Sequence, residues 1–321
     1  SFIIGRNRLG KAEGNLEFCS KVTASEQEEN STMKIDGYTR VCGVMGNPVE
    51  HTMSPAIHNT LAEALGENLA YVPFRVPAGA AGEAVRGAYA LNLLGMNVTV
   101  PYKSEVIPFL KETDPLAETI GAVNTLVRTE GGFKGYNTDM PGLYRAMCED
   151  GVKIEGEDVL ILGAGGVARA VAILAVDKGV RQVHILNRTA EKALKIADEV
   201  NDLAGRALAK GCGLEDCASL PGESYLAIQA TNVGMFPKTE EAVIEDAAFY
   251  RKIRIGYDLV FNPARTRFMA LVEENGGRAF GGLKMLLYQG VIAYELWTGA
   301  RVDAGLAKKA YGAMKEAMHI S

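Results

Sequence analysis

Residues 95 to 139 hold the side chains best suited to chemistry in this chain. Gly95-Met96-Asn97-Val98-Thr99-Val100-Pro101-Tyr102-Lys103 is followed by Gly121-Ala122-Val123-Asn124-Thr125, then by Gly135-Tyr136-Asn137-Thr138-Asp139. Each piece is a short apolar run ending in polar groups. A buried Asn or Thr needs hydrogen-bond partners, and a single pair is satisfied as readily by local backbone as by a ligand. Three such pieces so close together point instead to a pocket. Asn97, Thr99 and Asn124 suit a small, hydroxyl-rich ligand, while Lys103 and Asp139 add an ammonium and a carboxylate for proton chemistry.

The elements that position these groups can be read on both sides. Asn97 to Val100 reads as a buried strand stopped by Pro101, which puts Lys103 at a cleft rim on a flexible stem. Upstream, Tyr38 to Met45 reads as a strand broken by Gly46-Asn47-Pro48. A helix follows with Ser54 as its N-cap and Pro55 at its first position. Capping accounts for both residues but not for Thr52, whose hydroxyl can face the same ligand. Asn68 to Val76 reads as a second strand and Ala78 to Leu93 as a helix. Strand and helix alternating at this spacing argue for a parallel α/β sheet. Pro141 to Glu149 reads as a helix leading away.

After Gly151 the pattern changes. Asp158 to Leu162 is a buried-strand pattern that runs into Gly163-Ala164-Gly165-Gly166-Val167-Ala168 and an alanine-rich helix to Lys178. This is G-x-G-x-x-A between strand and helix, where glycines permit a tight turn and close approach of a pyrophosphate to helix amides. The next strand, Gln182 to Leu186, ends in Asn187-Arg188-Thr189. An acid is usual there for the ribose 2′-hydroxyl of NAD; a guanidinium suits a 2′-phosphate, so NADP is favoured over a mere surface arginine. Tyr225 to Ala230 and Ile253 to Val260 read as further strands. Their loops, Thr231-Asn232-Val233-Gly234-Met235 and Phe261-Asn262-Pro263, fall where open α/β sheets bind ligands. Helices are expected over Thr266 to Glu274, from Gly281-Gly282 to Trp297, and over about 304 to 318. Gln289 on the second of these is an interior hydrogen-bonding residue or a ligand group.

Composition bounds the function. The chain has 321 residues, 48% hydrophobic and 23% charged, with net charge −5. The length suits two domains, and the charge gives no reason to expect nucleic acid or an anionic membrane as a partner. No apolar run reaches the ~18 residues of a membrane span, and no signal-peptide pattern opens the sequence. Cys19, Cys42, Cys148, Cys212 and Cys217 are scattered, make no metal-ligand spacing, and read as reduced thiols of a cytoplasmic protein. Residues 1–37 are polar, weakly periodic and of unknown role, with Met33 as an alternative start.

Taken in order, these segments resemble the shikimate dehydrogenase family. The resemblance rests on Gly46 to Pro55, Asn97 to Lys103, Ile120 to Thr125, Asn137 to Asp139, Gly163 to Gly166, Asn187 to Thr189, Ala230 to Met235 and Met285 to Gln289, and spans residues 41 to 299. It implies an α/β protein of two domains. An N-terminal substrate domain with a mostly parallel sheet would comprise 38–138 and 282–321, the C-terminal helices returning to it. A Rossmann NADP domain would comprise 139–281. It implies reversible NADPH-dependent reduction of 3-dehydroshikimate to shikimate in aromatic amino-acid biosynthesis. Lys103 and Asp139 match the catalytic pair, and Thr52, Ser54, Thr99, Asn124 and Gln289 match substrate positions, as does Phe261, which stands where the family usually has Tyr. Asn97 belongs to the same pocket. Cofactor contacts are expected from Gly163, Ala164, Gly165, Gly166, Val167 and Ala168, from Asn187, Arg188 and Thr189, and from Thr231, Asn232, Gly234, Met235, Gly282 and Met285. No metal is expected. Which of Lys103 and Asp139 carries the transferred proton stays open. A quinate or dual quinate/shikimate dehydrogenase, a non-catalytic metabolite sensor, and a homodimer also stay open.

Overall fold

Apolar runs in two regions of the chain build two separate sheets. The structure is a computed structural model describing residues 35–320; most of the stretch expected to be a leader lies outside the described residues. The first elements are β1 (Arg40–Gly46), α1 (Ser54–Leu65), β2 (Leu69–Arg75), α2 (Ala81–Ala90) and β3 (Gly95–Val98). Then come β4 (Glu112–Thr113), α3 (Pro115–Ile120), β5 (Thr125–Thr129), β6 (Gly132–Tyr136) and α4 (Asp139–Glu149). The middle holds β7 (Asp158–Leu162), α5 (Gly166–Asp177), β8 (Gln182–Asn187), α6 (Ala190–Ala204), β9 (Ala209–Gly213) and β10 (Tyr225–Gln229). The chain closes through α7 (Ala247–Tyr250), β11 (Ile253–Asp258), α8 (Arg267–Glu274), β12 (Arg278–Phe280), α9 (Leu283–Thr298) and α10 (Ala304–Ala317).

The first sheet has the order β2-β1-β3-β5-β6-β4 and the second β12-β11-β10-β7-β8-β9. The second is parallel throughout, and its central strand β7 is apolar on both faces, as burial under helices on two sides demands. The first is parallel except for β5, which runs antiparallel to both β3 and β6. That hairpin and the helix α6 were not anticipated from the sequence. Yet α6 buries Ala193, Ile196, Ala197 and Val200, the helical spacing of an apolar stripe.

Three close approaches join the C-terminal helices to the rest. A Cβ on Gly95 would lie 2.0 Å from Trp297 Nε1, and that nitrogen donates to Leu126 O at 2.8 Å, so α9 docks on the first sheet. A Cβ on Gly142 of α4 would lie 2.6 Å from the backbone nitrogen of Gln289 in α9. At the far end of α4, Asp150 accepts from Lys284 Nζ of α9 at 2.5 Å and from Tyr257 OH of β11 at 3.1 Å. The helix is thus tied to the second sheet at one end and begins with Asp139 at the other.

Local boundaries differ from the sequence reading where side chains replace backbone partners. The strand at Asn97 ends at Val98, so Thr99 and Val100 already turn away. Ser54 does not cap α1: it is the first helical residue, Met53 stands at the cap, and no side chain caps the helix. Helix α4 begins at Asp139 instead of Pro141, because Asn137 Oδ1 accepts from Asp139 N at 3.1 Å and Met140 N at 3.4 Å. A side-chain acceptor there satisfies amides that a helix start leaves unpaired.

Candidate active site

The carboxyl ends of β1, β3, β7, β10 and β11 open onto one cleft of about 1130 Å³. Lys103, in the turn after β3, donates through Nζ to Asp139 Oδ2 at 2.6 Å. The two residues are 36 positions apart in sequence and meet because the end of β3 lies beside the start of α4. Asp139 Oδ1 accepts from Asn124 Nδ2 at 2.9 Å, so both its oxygens are held. Its place at the start of α4 sets it at the positive end of the helix dipole. A lysine and a carboxylate held in this way on a cleft wall can pass a proton to or from a ligand oxygen.

Around the pair, the expected substrate residues divide. Thr52, Ser54, Thr99, Phe261 and Gln289 line the cleft. Thr52 Oγ1 donates to Ser54 Oγ at 3.2 Å and accepts from Ser54 N at 3.3 Å, which links the two residues on the cleft wall. Gln289 donates one hydrogen to Leu286 O at 2.8 Å. Asn97 also lines the cleft, but its amide is engaged inside the fold. Its Oδ1 accepts from Tyr71 OH at 2.7 Å, and Nδ2 donates to Asn124 O at 3.2 Å and Thr125 Oγ1 at 3.0 Å. Asn124 is similarly occupied. Its Nδ2 donates to Asp139 and Thr138 Oγ1, and its Oδ1 accepts from Thr138 N at 2.7 Å. In this state Asn124 orients Asp139. Tyr71, Thr125 and Thr138 complete that buried support. Reading the sequence did not single them out, because nothing local marks a partner so far along the chain.

The opposite wall is the glycine turn. Gly163, Ala164, Gly165, Gly166 and Val167 line it, while Ala168 is buried beneath and reaches no cleft. Gly163 has φ 116°, and a Cβ there would lie 2.8 Å from Thr231 Cγ2; only glycine fits. The unpaired amides at the start of α5 face this turn, the arrangement that accepts a pyrophosphate. Asn187, Asn232, Met235, Gly282 and Met285 line the same cleft, as does Thr231, though its hydroxyl is engaged within its own loop. Gly234, at φ 83°, shapes that loop without lining the cleft. Arg188 and Thr189 are exposed beyond the end of β8, and Arg188 makes no ion pair among the described residues. Beside them a smaller hollow of about 560 Å³ is lined by Gly165, Gly166, Arg169, Lys192 and Lys195. Lys192 stands on the first turn of α6, just after Arg188 and Thr189. Arg169, on α5, donates to Thr119 O and Ile120 O beside α3 and to Glu199 of α6.

The profile of the shikimate dehydrogenase substrate-binding domain matches residues 44–126. That of shikimate / quinate 5-dehydrogenase matches 146–232, and that of the shikimate 5′-dehydrogenase C-terminal domain matches 282–310. The shikimate dehydrogenase (NADP(+)) of Carboxydothermus hydrogenoformans is 39% identical over 87% of this chain and 99% of its own length. The chain belongs to the shikimate dehydrogenase family. A second relative of the same name, from Desulforamulus reducens, is 42% identical over 83% of the chain and 92% of its own length. The crystal structure of shikimate 5-dehydrogenase from Thermus thermophilus, in complex with NADP(H) and shikimate, superposes with a TM-score of 0.76 at 32% identity. It covers 87% of this chain and 100% of that one. Like this family, the present chain places a substrate-type α/β layer beside a Rossmann-type sheet. No described helix is long and apolar enough to cross a membrane, and no metal-binding cluster of acidic, histidine or cysteine side chains occurs among the described residues.

Proposed function

We propose that the Lys103–Asp139 pair carries the proton chemistry of an NADP-dependent shikimate dehydrogenase, reducing 3-dehydroshikimate to shikimate reversibly. The observation that carries this reading is the 2.6 Å pair facing the glycine turn across one cleft. The bound cofactor supplies or accepts the hydride. As a ketone gains hydride, negative charge builds on its oxygen. A positioned donor there contributes typically ~10²–10⁴-fold. Lys103 donates to that oxygen, and Asp139, held by Asn124, holds the lysine and accepts from a neighbouring hydroxyl. Thr52, Ser54, Thr99 and Gln289 bind the carboxylate and ring hydroxyls. On this reading residues 38–138 and 282–321 hold the substrate and residues 139–281 the cofactor.

Assaying shikimate and quinate, each with NADP and with NAD, tests the reading. Turnover of shikimate with NADP is the expected result, and absence of turnover would overturn it. Arg188→Ala should weaken NADP and change NAD little, because the guanidinium is suited to a 2′-phosphate that NAD lacks. A wild-type enzyme with equal or better kcat/KM for NAD would remove that role. Shikimate should be preferred over quinate, since the methyl of Thr52 narrows the pocket against the bulkier C1 centre of quinate. Comparable kcat/KM for the two acids would make the enzyme a dual quinate/shikimate dehydrogenase.

A further inference from the structure

We propose that Asp258, which does not reach the cleft, is a positioning residue whose carboxylate ties the Gln229 amide to Val260 N and thereby holds two cleft walls, 231–235 and 259–261, in register. Asp258 ends β11 and Gln229 ends the neighbouring strand β10, both almost wholly buried. Asp258 Oδ1 accepts from Gln229 Nε2 at 3.3 Å and from Val260 N at 2.9 Å; Oδ2 accepts from Thr266 Oγ1 at 2.6 Å. Gln229 Nε2 also donates to Val233 O at 3.0 Å, while Oε1 accepts from Thr231 N at 2.6 Å and Thr231 Oγ1 at 2.7 Å. The Thr231 hydroxyl in turn accepts from Val233 N at 3.1 Å. The 231–233 turn is therefore folded around one amide.

The orientation of that amide is dictated by chemistry. An ionised carboxylate only accepts, and a backbone N–H only donates. Gln229 must point Nε2 at Asp258 and Oε1 at Thr231; the flipped amide would set oxygen against carboxylate and N–H against N–H. Burial pushes the Asp258 carboxyl up to about 6, against hydrogen bonds from Thr266, Val260 and Gln229 that favour its ionised form. The same carboxylate holds Val260 N, and Gly282 N donates to Val260 O at 3.1 Å. The Thr231 methyl also occupies the space that a Cβ on Gly163 would need. Thr231, Asn232, Met235, Leu259, Val260 and Phe261 all line the cleft, so one buried charge sets the shape of walls on both sides of its middle.

Asp258→Asn is close in shape but offers donors as well as an acceptor. Val233 O and Thr231 N still favour the present facing of Gln229, but an amide at 258 can turn N–H toward Gln229 Nε2 and Val260 N, so the tie between the two walls is loosened. This inference rests on the dehydrogenase reading for shikimate, but NADPH binding by fluorescence titration tests it without turnover. If the unmodified chain fails to bind NADPH, the functional reading itself fails. The expected result for Asp258→Asn is NADPH affinity and shikimate KM each worsened by about tenfold, the scale of one hydrogen bond to a charged group. Thr266→Val serves as the control, since it removes a donor to Oδ2 and the cap of α8 but leaves Gln229 oriented. It should lower the melting temperature and change both binding measures less than about twofold, as a role in stability alone requires. Gln229→Met should reproduce the Asp258→Asn losses and decides the matter if Asp258→Asn does not fold. Unchanged NADPH binding and shikimate KM in the folded variants, or equal losses in Thr266→Val, would overturn the proposal.

Discussion

Lys103→Ala is expected to lower kcat by at least ~10²-fold, the lower end of what a positioned proton donor contributes. Shikimate KM should change far less. The cleft hydroxyls of Thr52 and Ser54 remain, as does Gln289, and none of them hydrogen-bonds to Lys103. The variant should fold, because Lys103 is one-third exposed in its side chain and partly exposed ion pairs add ~0–1 kcal/mol to stability. Removing it does leave Asp139 Oδ2 without its partner, but that oxygen faces an open cleft that water can enter. Steady-state kinetics with circular dichroism as the folding check distinguishes the outcomes. A loss confined to KM would mean that Lys103 binds only the ground state. Near-normal kcat and KM together would reduce it to a surface lysine.

Gly142→Ala should have the next largest effect, although Gly142 lies outside the cleft. The new Cβ would lie 2.6 Å from Gln289 N and 2.9 Å from Gln289 Cα. These are backbone atoms of α9 and cannot rotate away, so the two helices must part. Overpacking of this kind costs about 1–3 kcal/mol, visible as a lower melting temperature. The same displacement carries Gln289 out of its place on the cleft wall. A misplacement of ~1 Å can cost about 10²-fold in rate, so kcat/KM for shikimate should fall by at least about tenfold. NADPH affinity should change less, because the glycine turn lies on the other sheet and only Gly282 and Met285 of the expected cofactor contacts belong to α9 or its start. A variant with normal kcat/KM and a normal melting temperature would show that α4 and α9 adjust without cost.

What the sequence made legible was local in the chain. The glycine turn lies between β7 and α5 within a few residues, so strand, turn and helix could be read together. The β5–β6 hairpin also had a local signal, Glu130-Gly131-Gly132, with Gly131 at φ 78°, the kind of pair a tight hairpin uses. The antiparallel step followed from it and was overlooked beside the stronger alternation of strands and helices. Ser before Pro is a common helix start, so the sequence predicts a cap at Ser54. The fold begins the helix one residue earlier and leaves Ser54 on the cleft wall. Asn97 and Thr231 show the opposite difficulty. Both were recognised as polar groups at strand ends, but the partners that engage them differ in reach. Tyr71 is 26 residues from Asn97, and Asp258 is 29 from the Gln229 that holds Thr231. Whether a buried polar side chain faces a ligand or another strand depends on sheet order, which residue types alone do not reveal.

Helix α4 gives the reactive pair a mechanical property. Its 11 residues make a rod about 16 Å long at ~1.5 Å per residue. One end is pinned by Asp150 to β11 and α9; the other carries Asp139. A tilt of about 5° about the pinned end swings a lever of about 16 Å by ~1.4 Å at its tip. That is enough to break a hydrogen bond, which weakens steeply beyond roughly 3.2 Å. Close packing of Gly142 on Gln289 holds that tilt in check, so the Lys103–Asp139 distance depends on how α4 is seated against α9. Small errors in that seating, made far from the chemistry, arrive at the reacting atoms already magnified.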